Sequence, residues 1–245
     1  MTLTYTGSAY RLRAGKYPAL SMQTSKQQLI ALLKRTGSVT VEEAAGALAV
    51  ASMTARQHLI GLERDGLVQS EKVRRAMGRP HYLYSLTAKG QEMFPQRYDL
   101  FASILLDEIG RLRSDDIEGL EEEEKRSLLI MRTTDRLAER YSFNVEGRSL
   151  EQRVSGVTDV LHLIGGFAEW CKTDDGFEIR DYNCVFARLM PMETSGCECH
   201  QRLLGQLLKW PARHEVVHSG RADLCRYIVS PSIGPIAGEG LTLHA

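Results

Sequence analysis

The sequence predicts an α+β fold in three parts, on three observations. Short helix-period segments between Thr24 and Arg64 lead into two strand-period runs around a Gly/Pro turn. Three longer amphipathic patterns then extend from Tyr98 to Ile164. Beyond Gly166, short strands alternate with one leucine-rich helix, and this last part holds all five cysteines, Cys171, Cys184, Cys197, Cys199 and Cys225. A 3.6-residue apolar period marks helices with one buried face, whereas alternation marks half-buried strands. A chain of 245 residues can build one large core or two ordinary ones.

Residues 1–23 mix Gly, Pro and Tyr with Arg11, Arg13 and Lys16 without periodicity, and read as a flexible basic arm. From Thr24, the residues Leu29, Ile30, Leu32 and Leu33 form an apolar helical face that ends near Gly37. Thr40 and Glu43 form a capping box for a short second helix through Ala44, Ala45 and Leu48. Ser52 reads as the cap of a third helix, Met53 to about Arg64, with Leu59, Ile60 and Leu62 expected to face inward.

Asp65-Gly66 stops that helix. Leu67-Val68-Gln69 and His81–Leu86 are strands around the basic stretch Lys72–Pro80. Three short helices closed by a β-hairpin make a winged helix-turn-helix, expected over residues 24–93. In such a unit the third helix enters the DNA major groove by its N-terminal half. The expected DNA-contacting residues there are Ser52, Thr54, Arg56, Gln57 and His58, since Arg pairs with guanine and Gln with adenine. Arg74, Arg75 and Arg79 in the wing suit phosphate or the minor groove.

Charge agrees with this reading. Residues 1–90 carry 13 Lys+Arg against 5 Asp+Glu, and the remainder 18 against 26, so a net charge of zero divides into +8 and −8. A basic N-terminal part matches a polyanion, and an acidic remainder avoids one.

Tyr98, Phe101, Leu105, Ile109 and Leu112 space an amphipathic helix. Glu121–Glu124 open another, which continues to Tyr141, and a third runs from about Leu150 to Ile164. Residues 94–146 are expected to be a helical dimerisation region. A dimer sets two reading helices about 34 Å apart and so reads a palindromic double-stranded operator. The other reading of the 96–113 helix is an intramolecular core element.

Residues 147–230 are expected to be a small α+β domain, followed by a tail at 231–245. Strands are expected at Phe167–Trp170, Phe177–Asn183, Glu215–His218 and Leu224–Val229, and a helix at His200–Trp210. Cys184 then closes a strand, Cys197 precedes a helix and Cys225 opens a strand, so the three can meet in one loop-covered pocket. An odd number of cysteines argues against disulfide stapling and for metal or redox chemistry. Cys171 reads as a buried hydrophobe.

The winged helix, "GRPHYLYSLTAKG", "FPQRYDLFASILLDEI", and "NC-x12-C-E" followed by a leucine-rich helix, a Gly turn and "C-x-Y" resemble the SufR-type iron–sulfur repressors of the suf cluster-assembly operon. The likeness runs from about Thr24 to Val229. It implies that Cys184, Cys197 and Cys225 ligate a cluster, 4Fe-4S or 2Fe-2S, that loaded protein binds its operator, and that cluster loss releases it. Some members carry a fourth cysteine where this chain has Leu208-Lys209-Trp210-Pro211. The remaining choices for a fourth ligand are His200, Cys199, Glu198, an external thiol or water. His200 follows Cys197 by three residues and would share its helix face.

Other readings of the same residues are a structural zinc and a thiol redox switch using Cys197 and Cys199. The chain shows no Gly-rich phosphate loop, G-x-S-x-G or H-E-x-x-H, so no enzyme is expected. An N-terminus without an apolar h-region and no apolar run of spanning length point to a cytoplasmic protein without a membrane partner.

Overall fold

A computed structural model of the chain describes residues 24–73, 81–94, 97–145, 147, 149–186, 195–218 and 223–234. The first helix, α1 (Ser25–Thr36), starts behind a Thr24/Gln27 capping box and stops at Gly37, whose φ of 76° suits a residue without Cβ. A two-residue strand, β1 (Ser38–Val39), leads to α2 (Val41–Leu48), where Thr40 and Glu43 form the expected capping box. Ala49, in the left-handed region, turns the chain towards α3 (Ser52–Arg64).

Two details of α3 differ from expectation. Its N-cap is Ala51, which makes no side-chain cap, so Ser52 is already the first helical residue. Ile60 is 51% exposed, because Ala55, Leu59 and Leu62 define the buried stripe and Ile60 lies a hundred degrees around from Leu59.

The hairpin strands β2 (Val68–Val73) and β3 (His81–Leu86) pair antiparallel, and β1 adds to the other edge of β3, giving the order β1-β3-β2. The short α4 (Ala88–Gln91) packs against this sheet. A Cβ on its Gly90 would stand 2.1 Å from the Leu67 carbonyl oxygen, so only glycine fits there. The core of this unit is built from Leu29, Leu33, Leu59, Leu62, Val68 and Leu86.

The next helices are α5 (Tyr98–Arg111), the short α6 (Ser114–Ile117), α7 (Glu122–Tyr141) and α8 (Leu150–Leu163). Strands β4 (Ala168–Thr173) and β5 (Gly176–Asp181) form a hairpin, α9 (Ser195–Leu208) follows, and β6 (Arg213–His218) and β7 (Asp223–Val229) form a second hairpin. These strands make one antiparallel sheet in the order β4-β5-β7-β6. Phe101 and Ile104 of α5, Leu137 of α7, Val157 and Leu161 of α8, Leu203 and Leu204 of α9, and Ile179 and Tyr227 of the sheet share one core.

The inward face of α5 is Leu100, Phe101, Ile104 and Glu108, rotated from the expected face. Leu106 and Ile109 remain exposed on the same helix. Glu108 is buried because Arg111 and Arg136 both hydrogen-bond its Oε1 at 2.8 Å. The cysteine-bearing helix α9 begins five residues earlier than its leucine pattern suggested, so Cys197 lies within its first turn.

The two cores meet around Phe167. Phe167, just ahead of β4, is buried in the N-terminal core, with ring centroids 5.1 Å from Phe94 and 6.0 Å from Tyr182. Arg35 at the end of α1 lies 5.0 Å over the Phe167 ring and pairs with Glu169 of β4, its Nε 2.7 Å from Oε1. The winged unit therefore sits against the start of β4 and the residue that follows β5, through Phe167, Glu169 and Tyr182.

Candidate DNA-reading face and thiol–imidazole site

The sequence of α3 puts three small or apolar residues at helical spacing towards the core and leaves the polar ones outside. Ser52, Arg56 and Gln57 are exposed, while Thr54 and His58 are half-buried on the flank. The opposite end of α3 is held by a Lys26–Asp65 ion pair of 3.0 Å and by Ser70 Oγ donating to Glu63 at 2.6 Å. Lys26 holds the Asp65 carboxyl below the ordinary carboxylate range, by hydrogen bond and charge. An anionic partner thus meets a helix whose acids are engaged elsewhere. The wing residues Arg74, Arg75 and Arg79 lie outside the described residues.

The second site grows from the end of β5. Asp181, 1% exposed, accepts the backbone N–H of Phe167 at 3.2 Å and of Asn183 at 3.0 Å, both on Oδ1. Asn183 in turn donates its side-chain amide to the Gly165 carbonyl at 2.7 Å. These bonds fix the turn that delivers Cys184. Across from it, His200 of α9 is fully buried, with Nδ1 3.6 Å from the Cys184 sulfur and Nε2 3.8 Å from Asp181 Oδ2.

Cys225 reaches the same place from β7, which pairs with β5 at Asp181↔Cys225. Cys184 and Cys225 are near enough for each to shift the other's ionisation. The Cys225 sulfur, burial and the charge of Asp181 hold the Cys184 thiol up. Cys184, against the effect of burial, and the neighbouring His214 and His200 bring Cys225 down. Burial lowers the pKa of His200, against the pull of Asp181, which favours the uncharged ring whose lone pair can be donated.

Two thiols and an imidazole from three elements therefore converge, although 41 residues separate the outer two in sequence. His200 Nε2, Asp181 Oδ2 and the Tyr227 hydroxyl have no hydrogen-bond partner despite burial. Among the described residues, no group of three or more His, Cys, Asp or Glu is arranged as a ready-made metal site. The backbone of Cys197 lies in the first turn of α9, three residues ahead of His200, and its side chain lies outside the described residues.

Cys199 is 3% exposed and belongs to the core, and burial pushes its thiol up. Cys171 is likewise buried on β4 and raised by burial. Glu198 is exposed. Sequence reasoning missed Asp181, His214 and Tyr227 as neighbours of the thiols. His214 stacks on Tyr227 at 4.8 Å, and Tyr227 also flanks His200. The sequence signal was Asp181, an acid near the end of a strand-period run three residues before Cys184.

Comparison with known families bears on the unit that carries the first site. Residues 26–76 match the DeoR-like helix-turn-helix domain. The match takes in α1 through β2 and supports a helix-turn-helix, DNA-binding transcription regulator. No curated protein matches the chain. No helix among the described residues is long and apolar enough to cross a membrane.

Proposed function

We propose that this regulator controls iron–sulfur cluster assembly genes as a repressor, and that a cluster held by Cys184, Cys197 and Cys225, with His200 as fourth ligand, switches its operator affinity. The observation that carries the reading is the meeting of Cys184, Cys225 and buried His200 beside Asp181. The donor set fits such a group chemically: thiolates are its usual ligands, and imidazole replaces thiolate at some irons. Asp181 faces the outer nitrogen of His200, as a carboxylate does behind many metal-bound imidazoles. A bound cluster would supply a reversible centre, sensitive to iron supply and oxidants.

The same carboxylate supports the coupling to DNA. Asp181 binds the Phe167 amide, and Phe167 is the residue on which the winged unit is seated. Anything that orders the thiol–imidazole site also orders that seat. A second connection runs through α9, whose Arg202 makes a two-point pair with Asp135 of α7 at 2.6 and 2.9 Å. The exposed Leu106 and Ile109 of α5 and Phe143 after α7 support a homodimer on a palindromic operator.

A coupling on the order of 1–3 kcal/mol would change operator affinity about 5- to 150-fold. The test is anaerobic absorption with iron and sulfide analysis, followed by titration of a duplex selected from a random-sequence pool with apo and loaded protein. A brown protein with tighter binding when loaded supports the proposal; equal affinities refute the switch.

One observation favours a second reading. Two neighbouring thiols and an imidazole are also a donor set for a single zinc ion, held by thiolate bonds of about 2.3 Å. A colourless protein holding one zinc per chain would decide for it.

A further inference from the structure

The reading helix carries a feature that its polar residues do not explain. Met53 is 67% exposed and Ile60 51%, and both lie on α3. Single exposed apolar residues are ordinary on any surface. These two are seven residues apart, hence about 10 Å along the axis and within about 20° of one another around it. The buried stripe of Ala55, Leu59 and Leu62 lies on the other side of the helix. Exposed Arg56 and Gln57 fall between them in sequence and beside them in space.

We propose that Met53 and Ile60 are specificity-determining residues that read the 5-methyl groups of two thymines in the major groove, one on each side of the base contacted by Arg56 or Gln57. The proposal rests on the helix-turn-helix assignment alone and is independent of any cluster. DNA is the occupant that the surroundings select: a basic N-terminal part, a helix of the matched DNA-binding domain, and acids at its far end already paired. The thymine methyl is the apolar group that the major groove offers, and an apolar side chain is its complement. With about 3.4 Å per base step along a strand, a 10 Å separation places the two thymines about three steps apart in each half-site. Contact would also bury apolar surface that the free protein leaves in water.

Full-length protein is used to enrich duplexes from a random-sequence pool, and each thymine of the winner is then replaced by uracil, which removes only the methyl. We expect two positions per half-site, about three steps apart, where the replacement weakens binding about fourfold, the effect of burying one methyl-sized group. Met53→Ala should erase the penalty at one position and Ile60→Ala at the other, while Arg56→Ala should weaken binding with both penalties kept. Both apolar residues are exposed, so unchanged thermal unfolding of these variants is expected and is measured alongside. Uracil tolerated at every position, or penalties that survive both alanine variants, overturns the proposal while leaving DNA binding intact. A shift in oligomeric mass on Met53→Ala, with DNA affinity unchanged, assigns the residue to a protein contact and overturns it equally. Protein that enriches no sequence refutes it together with the DNA-reading assignment.

Discussion

Arg35→Met tests the seat between the two cores most directly. The Arg35 side chain is 33% exposed and that of Glu169 only 7%, and the guanidinium also covers the Phe167 ring. Removing one partner of a buried pair costs about 3–5 kcal/mol, because the other charge is left in a poor solvent. Partial exposure of Arg35 brings that to about 2 kcal/mol. Loss of the cation–π contact adds about 0.5–1 kcal/mol. The expected cost is therefore roughly 2–3 kcal/mol, borne by the junction rather than by either core.

Urea unfolding reads it well, since both tryptophans, Trp170 and Trp210, lie at the C-terminal core while far-UV circular dichroism reports both parts. At an m-value of about 2 kcal/mol/M, the dichroism midpoint should fall by about 1 M and part from the fluorescence midpoint. Arg35→Met combined with Glu169→Met should recover at least half of the loss, because no charge then remains unpaired. Additive losses in the double variant, or no loss in the single one, would show that the ion pair does not hold the seat.

Cys184→Ser or Cys225→Ser should abolish iron and sulfide content, whereas Cys171→Ala and Cys199→Ala should retain it, as checked by visible absorption. Retention of metal by Cys184→Ser would contradict the ligand set. Thr40→Ala removes the α2 capping box and should cost about 1 kcal/mol in thermal or denaturant unfolding. Burial pushes the Glu108 carboxyl up, but Arg136 and Arg111 outweigh it and hold the group below its ordinary value of 4.5. A depressed folded pKa means a contribution fully present above pH 4.5 and lost as pH falls through the folded value. Wild-type stability should therefore decline more steeply below pH 4.5 than that of Glu108→Gln, in denaturant titrations across that window.

Local signals were legible wherever neighbours in sequence are neighbours in space. The capping box at Thr40 and Glu43, the glycine stop at Gly37, and the helix beginning at Leu150 follow from short-range chemistry and appear as expected. Helix faces were harder. Ile60 and Ile109 look as apolar as Leu59 and Ile104, yet only the latter two are buried, because the packing partners choose the face. The start of α9 was also hidden, since Ser195–Glu198 carries no apolar period.

The amino-acid order alone determined a basic helix-turn-helix unit, most of the strands and helices after it, and an odd number of cysteines gathered beyond Gly166. Those properties depend on periodicity, capping and charge, which act over a few residues. Only the tertiary structure decided that Cys184 meets His200 beside Cys225, that His200 is buried rather than solvent-facing, and that Asp181 joins this group to the seat of the winged unit. The pairing of β5 with β7 joins residues more than forty apart and the packing of α9 adds His200, and no local rule encodes which distant strand will lie alongside.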